Sequence, residues 1–143
     1  MPEPNFDDFN EEQTNTLRAL VNQIIPADEF PSGWDAGVGD YLRVQFRRDL
    51  ISWVPQYKEG LNSLCAESRA RGAADFSSSA SDVQINILTD IEHGKTAVEW
   101  SIDPKFFFNS AISHVMEGFY ADPGNGGNKN RTAWTMVGFE VTV

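Results

Sequence analysis

Two histidines, one cysteine, an adjacent pair of carboxylates and a glycine-rich loop are the features of this 143-residue chain that invite chemistry. His93 and His114 are the residue type for general acid–base work or metal ligation, but each needs a neighbouring ligand or an orienting partner. Neither has one in sequence, and each falls on or at the end of a helical stretch, so a solvent-exposed or hydrogen-bonded role is the simpler reading. Asp28-Glu29 has the form of an acid/base pair, yet its place at the start of a loop suits capping carboxylates better. No serine sits in a nucleophile-elbow motif. Cys65 is the only cysteine, which excludes an intramolecular disulfide and a cysteine-based metal cluster. It falls on the apolar side of a helical pattern, where a thiol acts as a small buried hydrophobe.

The loop Asp122-Pro123-Gly124-Asn125-Gly126-Gly127-Asn128 is the most unusual segment. Its glycines allow positive φ and close backbone approach to another surface. Such a backbone could form an anion nest, or a calcium loop using Asp122, Asn125 and Asn128. The loop lacks the bidentate glutamate and ligand count of an EF-hand. A turn that reverses the chain and a recognition loop at a subunit interface are the stronger readings. Asn130-Arg131-Thr132 matches a glycosylation acceptor only by chance. We expect no catalytic, cofactor or metal residue in this chain.

The elements that must position these residues are helical. Leu17, Leu20, Val21, Ile24 and Ile25 form one apolar stripe and predict a helix over about 10–25, stopped at Pro26. A second helix is expected over about 36–52, capped by Asp35, with Val38, Tyr41, Leu42, Gln45, Phe46 and Leu50 on one face. A third is expected over about 55–71, with Pro55 in the first turn and Gly72 as the stop. A fourth is expected over 81–92, opened by a Ser81–Gln84 capping box and closed by Gly94. The fifth has Asp103 as cap, Pro104 first, and a stripe of Phe108, Ala111, Ile112, Val115, Met116 and Phe119. The sum is an all-α, single-domain bundle of about five helices over 1–143. It has an acidic, flexible stretch at 1–10 and a glycine-rich C-terminal loop. Residues 139–143 alternate apolar and polar, which suits a short strand, a tail, or pairing with another chain.

Composition narrows the partners. The net charge of −10 disfavours nucleic acid and anionic membrane surfaces. No apolar run approaches the ~18 residues of a membrane span, so direct insertion is not expected. The start, Met1-Pro2-Glu3-Pro4, carries no basic n-region, apolar h-region or twin-arginine pair. Trp34, Trp53, Trp100 and Trp134, with residues 106–108 and Tyr120, give more aromatics than such a core requires. Surplus aromatics are the usual anchors of protein interfaces.

Two stretches together carry a resemblance. One is Ile24-Ile25-Pro26-Ala27-Asp28-Glu29 followed by Asp35-Ala36-Gly37-Val38. The other is Glu117-Gly118-Phe119-Tyr120-Ala121-Asp122-Pro123, then Gly126-Gly127-Asn128, Trp134 and Val137-Gly138-Phe139. With Tyr57, Gly60-Leu61 and Phe106-Phe107 between them, the chain resembles the gluconate 2-dehydrogenase subunit 3 family over about 17–139. It departs from that pattern at Asn125, where an aromatic is usual, and in its ending. The resemblance implies a cofactor-free small subunit paired with a large flavoprotein of the glucose–methanol–choline type. That partner holds the FAD and oxidises a sugar, sugar acid or polyol. The small subunit would aid its folding, stability or export, in a chaperone-like manner. On this basis Phe119, Tyr120, Asp122, Pro123, Gly126, Gly127, Asn128 and Trp134 are expected in or beside the partner interface. The resemblance implies the periplasm, whereas the missing leader pattern suits the cytoplasm. Two other readings stand beside it. One is a stand-alone sugar-binding module that stacks its ligand on Trp and Tyr. The other is a small enzyme using Asp28, Glu29 or His114.

Overall fold

The computed structural model describes residues 8–27 and 31–120. Among them are five α-helices and no strand: α1 (Glu11–Ile24), α2 (Gly39–Gln45), α3 (Val54–Ala70), α4 (Ser81–Glu92) and α5 (Pro104–Phe119). A π-helical turn, Trp34–Val38, leads into α2, and a 3-10 turn, Ile51–Trp53, leads into α3. The all-α bundle expected from the periodicity is therefore what forms.

α1 starts with a reciprocal cap. The Asn10 side chain accepts from the Gln13 amide at 2.7 Å, and the Gln13 side chain accepts from the Asn10 amide at 3.0 Å. Leu17, Leu20 and Val21 are fully buried, as the stripe requires. Past the helix the chain folds back on itself: Gly33 N–H donates to the Ile25 carbonyl at 2.8 Å, and the Trp34 amide donates to Asn22 Oδ1 at 3.0 Å.

The second helix is the main correction. It does not run to residue 52, and Asp35 is not its cap. The helical path begins at Trp34, where no side chain caps it, and Asp35 lies inside the π turn. That turn passes through Gly37 at φ 111°, a conformation β-carbon-bearing residues avoid. α2 ends at Gln45 in tight turns, with the Leu50 amide on the Gln45 carbonyl at 2.8 Å. The break brings Phe46 edge-on to Phe9 at 5.3 Å and to Tyr57 at 4.9 Å. Tertiary packing of one aromatic outweighs a helical pattern that carries no glycine or proline there.

α3 begins with Pro55 in its first turn, and the chain turns after it at Gly72 (φ 82°). α4 has the expected bounds but not the expected cap. Ala80 occupies the cap position without a side-chain bond. Gln84 instead donates to the Phe76 carbonyl at 2.7 Å and accepts from Gln23 at 2.7 Å. Ser81 accepts from Gln23 at 3.1 Å. Those bonds hold the 73–80 connection down, and Phe76 sits in the core with no exposure. α5 is capped as expected, with Asp103 Oδ1 accepting from the amides of Lys105 (2.9 Å) and Phe106 (3.3 Å). The expected glycine-rich loop and the alternating end at 139–143 lie outside the described residues.

Candidate functional site

The densest chemistry lies where α3 meets α5. Tyr57 on α3 and His114 on α5 are both buried. Tyr57 Oη and His114 Nδ1 are 2.7 Å apart. Burial, with the nearby Glu117 charge adding to it, holds the Tyr57 hydroxyl well above the ordinary phenol range. Burial pushes His114 below its ordinary 6.5. The pair is thus one hydrogen bond between two neutral groups. Trp53 meets the His114 ring edge-on at 4.8 Å, and Phe107 meets the Tyr57 ring edge-on at 5.5 Å. This explains the spacing of Tyr57, Gly60 and Phe107: a β-carbon on Gly60 would stand 2.2 Å from the Phe107 ring. The helices approach through a glycine, and the tyrosine and phenylalanine close the gap.

A consequence of the His114 environment is measurable. Its native pKa is depressed, so its contribution is complete above about 6.5 and is lost as pH falls through the native value. In that window the unfolded chain takes up a proton that the native chain refuses, at up to about 1.4 kcal/mol per pH unit. Unfolding midpoints measured from about pH 7.5 to 5 should fall more steeply for the wild type than for His114→Gln. Equal slopes would show that His114 does not titrate in the unfolding equilibrium.

A second polar node is one that sequence reasoning missed. Glu67 on α3 is fully buried. Its carboxylate accepts from the amides of Ala97 (2.9 and 3.0 Å) and Val98 (3.1 Å) and from the Trp100 indole (2.9 Å). Arg71 lies 3.4 Å away and also pairs with Asp90 at 3.0 Å. Burial alone would push Glu67 up, but the bonds from Ala97, Trp100, Val98 and Arg71 together hold it below the ordinary range. The connection between α4 and α5 is thereby tied to α3. One signal for it was legible: Glu67 follows Gly60 and Leu64 on the inward face of α3, a lone carboxylate in an apolar row.

The other sequence candidates are placed as follows. Cys65 is buried, with Sγ 3.1 Å from Thr16 Oγ1. His93 is exposed and its Nδ1 lies 2.8 Å from the Thr89 carbonyl. Phe119 is buried in the core, and Tyr120, half-buried, meets its ring edge-on at 5.6 Å. Asp122, Pro123, Gly126, Gly127, Asn128 and Trp134 lie outside the described residues, as do Asp28 and Glu29. The aromatic surplus is partly absorbed by the fold, since Trp34, Phe107 and Phe108 are core residues. Phe106 is not: it is 55% exposed and stacks on Trp53 at 5.8 Å. Among the described residues no group of three or more His, Cys, Asp or Glu is arranged to hold a metal ion. No described helix is long and apolar enough to cross a membrane. Two of the surface grooves formed by the described residues bear on this. One, of about 210 Å³, runs between α1, α4 and α5 past Ile24, Ile85, Leu88 and Ile112. The other is polar, past Asn15, Arg18, Asn22 and Gln84. Neither is lined by Trp or Tyr.

These features define a helical protein whose motif residues between Tyr57 and Phe119 mainly build the α3–α5 joint. The family model for gluconate 2-dehydrogenase subunit 3 matches residues 11–140. The chain belongs to that family, a subunit family of a dehydrogenase complex. No match was found among curated proteins or solved structures.

Proposed function

We propose that this chain is the non-catalytic small subunit that binds and stabilises a large FAD-dependent dehydrogenase subunit of the glucose–methanol–choline type. The observation that carries this reading is the family match over nearly the whole chain. The geometry agrees with it. The buried titratable groups described above are each committed to holding helices together, Tyr57 to His114 and Glu67 to the 97–100 segment. In this reading the FAD and the oxidation of a sugar, sugar acid or polyol belong to the large chain. The small subunit acts by mass action, since whatever binds only the folded flavoprotein raises its folded fraction. Phe119, Tyr120, Asp122, Pro123, Gly126, Gly127, Asn128 and Trp134 form or flank the contact, with the buried Phe119 acting as the base on which Tyr120 rests.

Co-expression with a large flavoprotein subunit of that type from the same source tests the proposal. Soluble, FAD-loaded flavoprotein should rise several-fold when this chain is present, and the two should co-purify in a fixed ratio. Equal yield and activity without it, and no co-purification, would end the proposal.

A further inference from the structure

The Tyr57–His114 bond favours one arrangement of protons. Tyr57 Oη lies 2.7 Å from His114 Nδ1, and the phenol is neutral, so its O–H donates and Nδ1 accepts. With Nδ1–H donating instead, the buried hydroxyl hydrogen would have no acceptor among the described residues. The imidazole hydrogen therefore sits on Nε2, which has no hydrogen-bond partner among the described residues.

A second proton has to enter at Nδ1, on the line already held by the hydroxyl hydrogen. The hydroxyl would then turn its hydrogen away, among the rings of Phe46 and Phe107 that meet Tyr57 edge-on at 4.9 and 5.5 Å. Acid thus costs this joint a buried donor and a buried charge together. The groups around His114 offer that charge little relief. α3 presents Tyr57 and the Ile51–Trp53 turn presents the uncharged Trp53. Glu117 lies one turn along α5 and acts on Tyr57, and with Asp49 it acts on Tyr41 of α2. On the imidazole itself it is burial that acts.

The weakest wall of this chamber is the Ile51–Trp53 turn. His114 is buried, Trp53 is half-buried and meets it edge-on at 4.8 Å, and Phe106 is exposed and stacks on Trp53 at 5.8 Å. Three rings therefore run from the interior to solvent. The turn holds no buried residue and no side-chain cap. Its amides rest on neighbouring carbonyls, Trp53 on Leu50 at 2.9 Å and Ile51 on Arg48 at 3.3 Å. We infer that this turn is an acid-opened cover: a proton taken up at His114 displaces Trp53 with its turn, lets water reach the imidazolium, and leaves the rest of the bundle folded. Opening trades one aromatic contact for hydration of the charge, and the exposed Glu117 stands three residues along α5 as its counter-charge. The inference stands apart from the small-subunit reading and survives if that reading fails.

The test is amide exchange on the full chain, followed by NMR from pH 7.5 to 5, with each rate divided by the intrinsic rate at that pH. Protection of the Trp53 amide should fall below about pH 6.5, by up to about tenfold per pH unit. The Leu61 and Leu64 amides, deeper along α3, should keep theirs. In His114→Gln, which does not titrate, protection at Trp53 should not change with pH. A second variant covers the case in which His114→Gln melts early. Phe106→Ala thins the cover from its exposed end and leaves the core alone, so it should move the titration of the His114 ring protons up by about half a pH unit or more. The inference is overturned if Trp53 protection in the wild type is flat with pH, or falls equally in His114→Gln. It is also overturned if that protection falls in step with Leu61 and Leu64, which would be global unfolding, or if Phe106→Ala leaves the His114 titration where it was.

Discussion

Glu67→Gln is expected to lower the melting temperature by roughly 10 °C, the change that follows from about 3 kcal/mol in a domain of this size. The substitution keeps the shape and removes the charge. Ala97, Val98 and Trp100 all point N–H groups at the carboxylate. A carboxamide offers one oxygen to them and turns its own N–H groups toward the remaining donors, so at least one buried donor loses its partner. Arg71 loses its charge partner on α3 as well. The damage should be local first. Amide exchange at Ala97 and Val98 should rise ahead of the rest of the bundle, because their bonds end on this side chain. The acid limb should change too. With its native pKa held below the ordinary 4.5, Glu67 stabilises fully above that value and loses its contribution as pH falls through the native value. Glu67→Gln should therefore lose less stability than wild type on going below about pH 4.5. A melting temperature within a degree or two of wild type would show that the 97–100 segment is held by something else.

Gly60→Ala should destabilise by about 1–3 kcal/mol, against the stabilisation that the same change brings at an open helical site. The added β-carbon meets three atoms of the Phe107 ring, the nearest at 2.2 Å. Phe107 cannot swing aside cheaply. It is 3% exposed, with Tyr57 on it at 5.5 Å and Trp100 at 6.0 Å. The distinguishing experiment is a double-mutant cycle with Phe107→Leu. Phe107→Leu alone costs stability, but in its presence the penalty of Gly60→Ala should shrink or reverse, giving a coupling of about 1 kcal/mol or more. Additive effects would mean that the ring and the glycine do not meet.

The legible and illegible parts of this chain divide along physical lines. Where one element carries its own instructions, sequence reading succeeded. Pro104 behind Asp103 and the stripe from Phe108 to Phe119 place α5 to the residue, and Gly72 and Gly94 mark stops that need positive φ. Where the instruction is a contact with another element, it failed. Nothing local breaks the pattern after Gln45; the break exists because Phe46 packs between Phe9 and Tyr57. Ser81 and Gln84 have capping-box spacing, but Gln84 has better partners in Phe76 and Gln23. The motif positions Tyr57, Gly60 and Phe107 were readable as a resemblance, while their purpose needed the α3–α5 crossing to be seen. Glu67's place on the inward row of α3 is legible, but its role is not, because its donors lie thirty and more positions away.

Cys65 offers a practical return. Its sulfur is sealed between α1 and α3, hydrogen-bonded to Thr16, and it is the sole thiol of the chain. An alkylating reagent can reach it only when those two helices part, so the modification rate reports the opening equilibrium without an engineered label. The same rate, measured with and without a flavoprotein partner, would show how far binding keeps this seam shut.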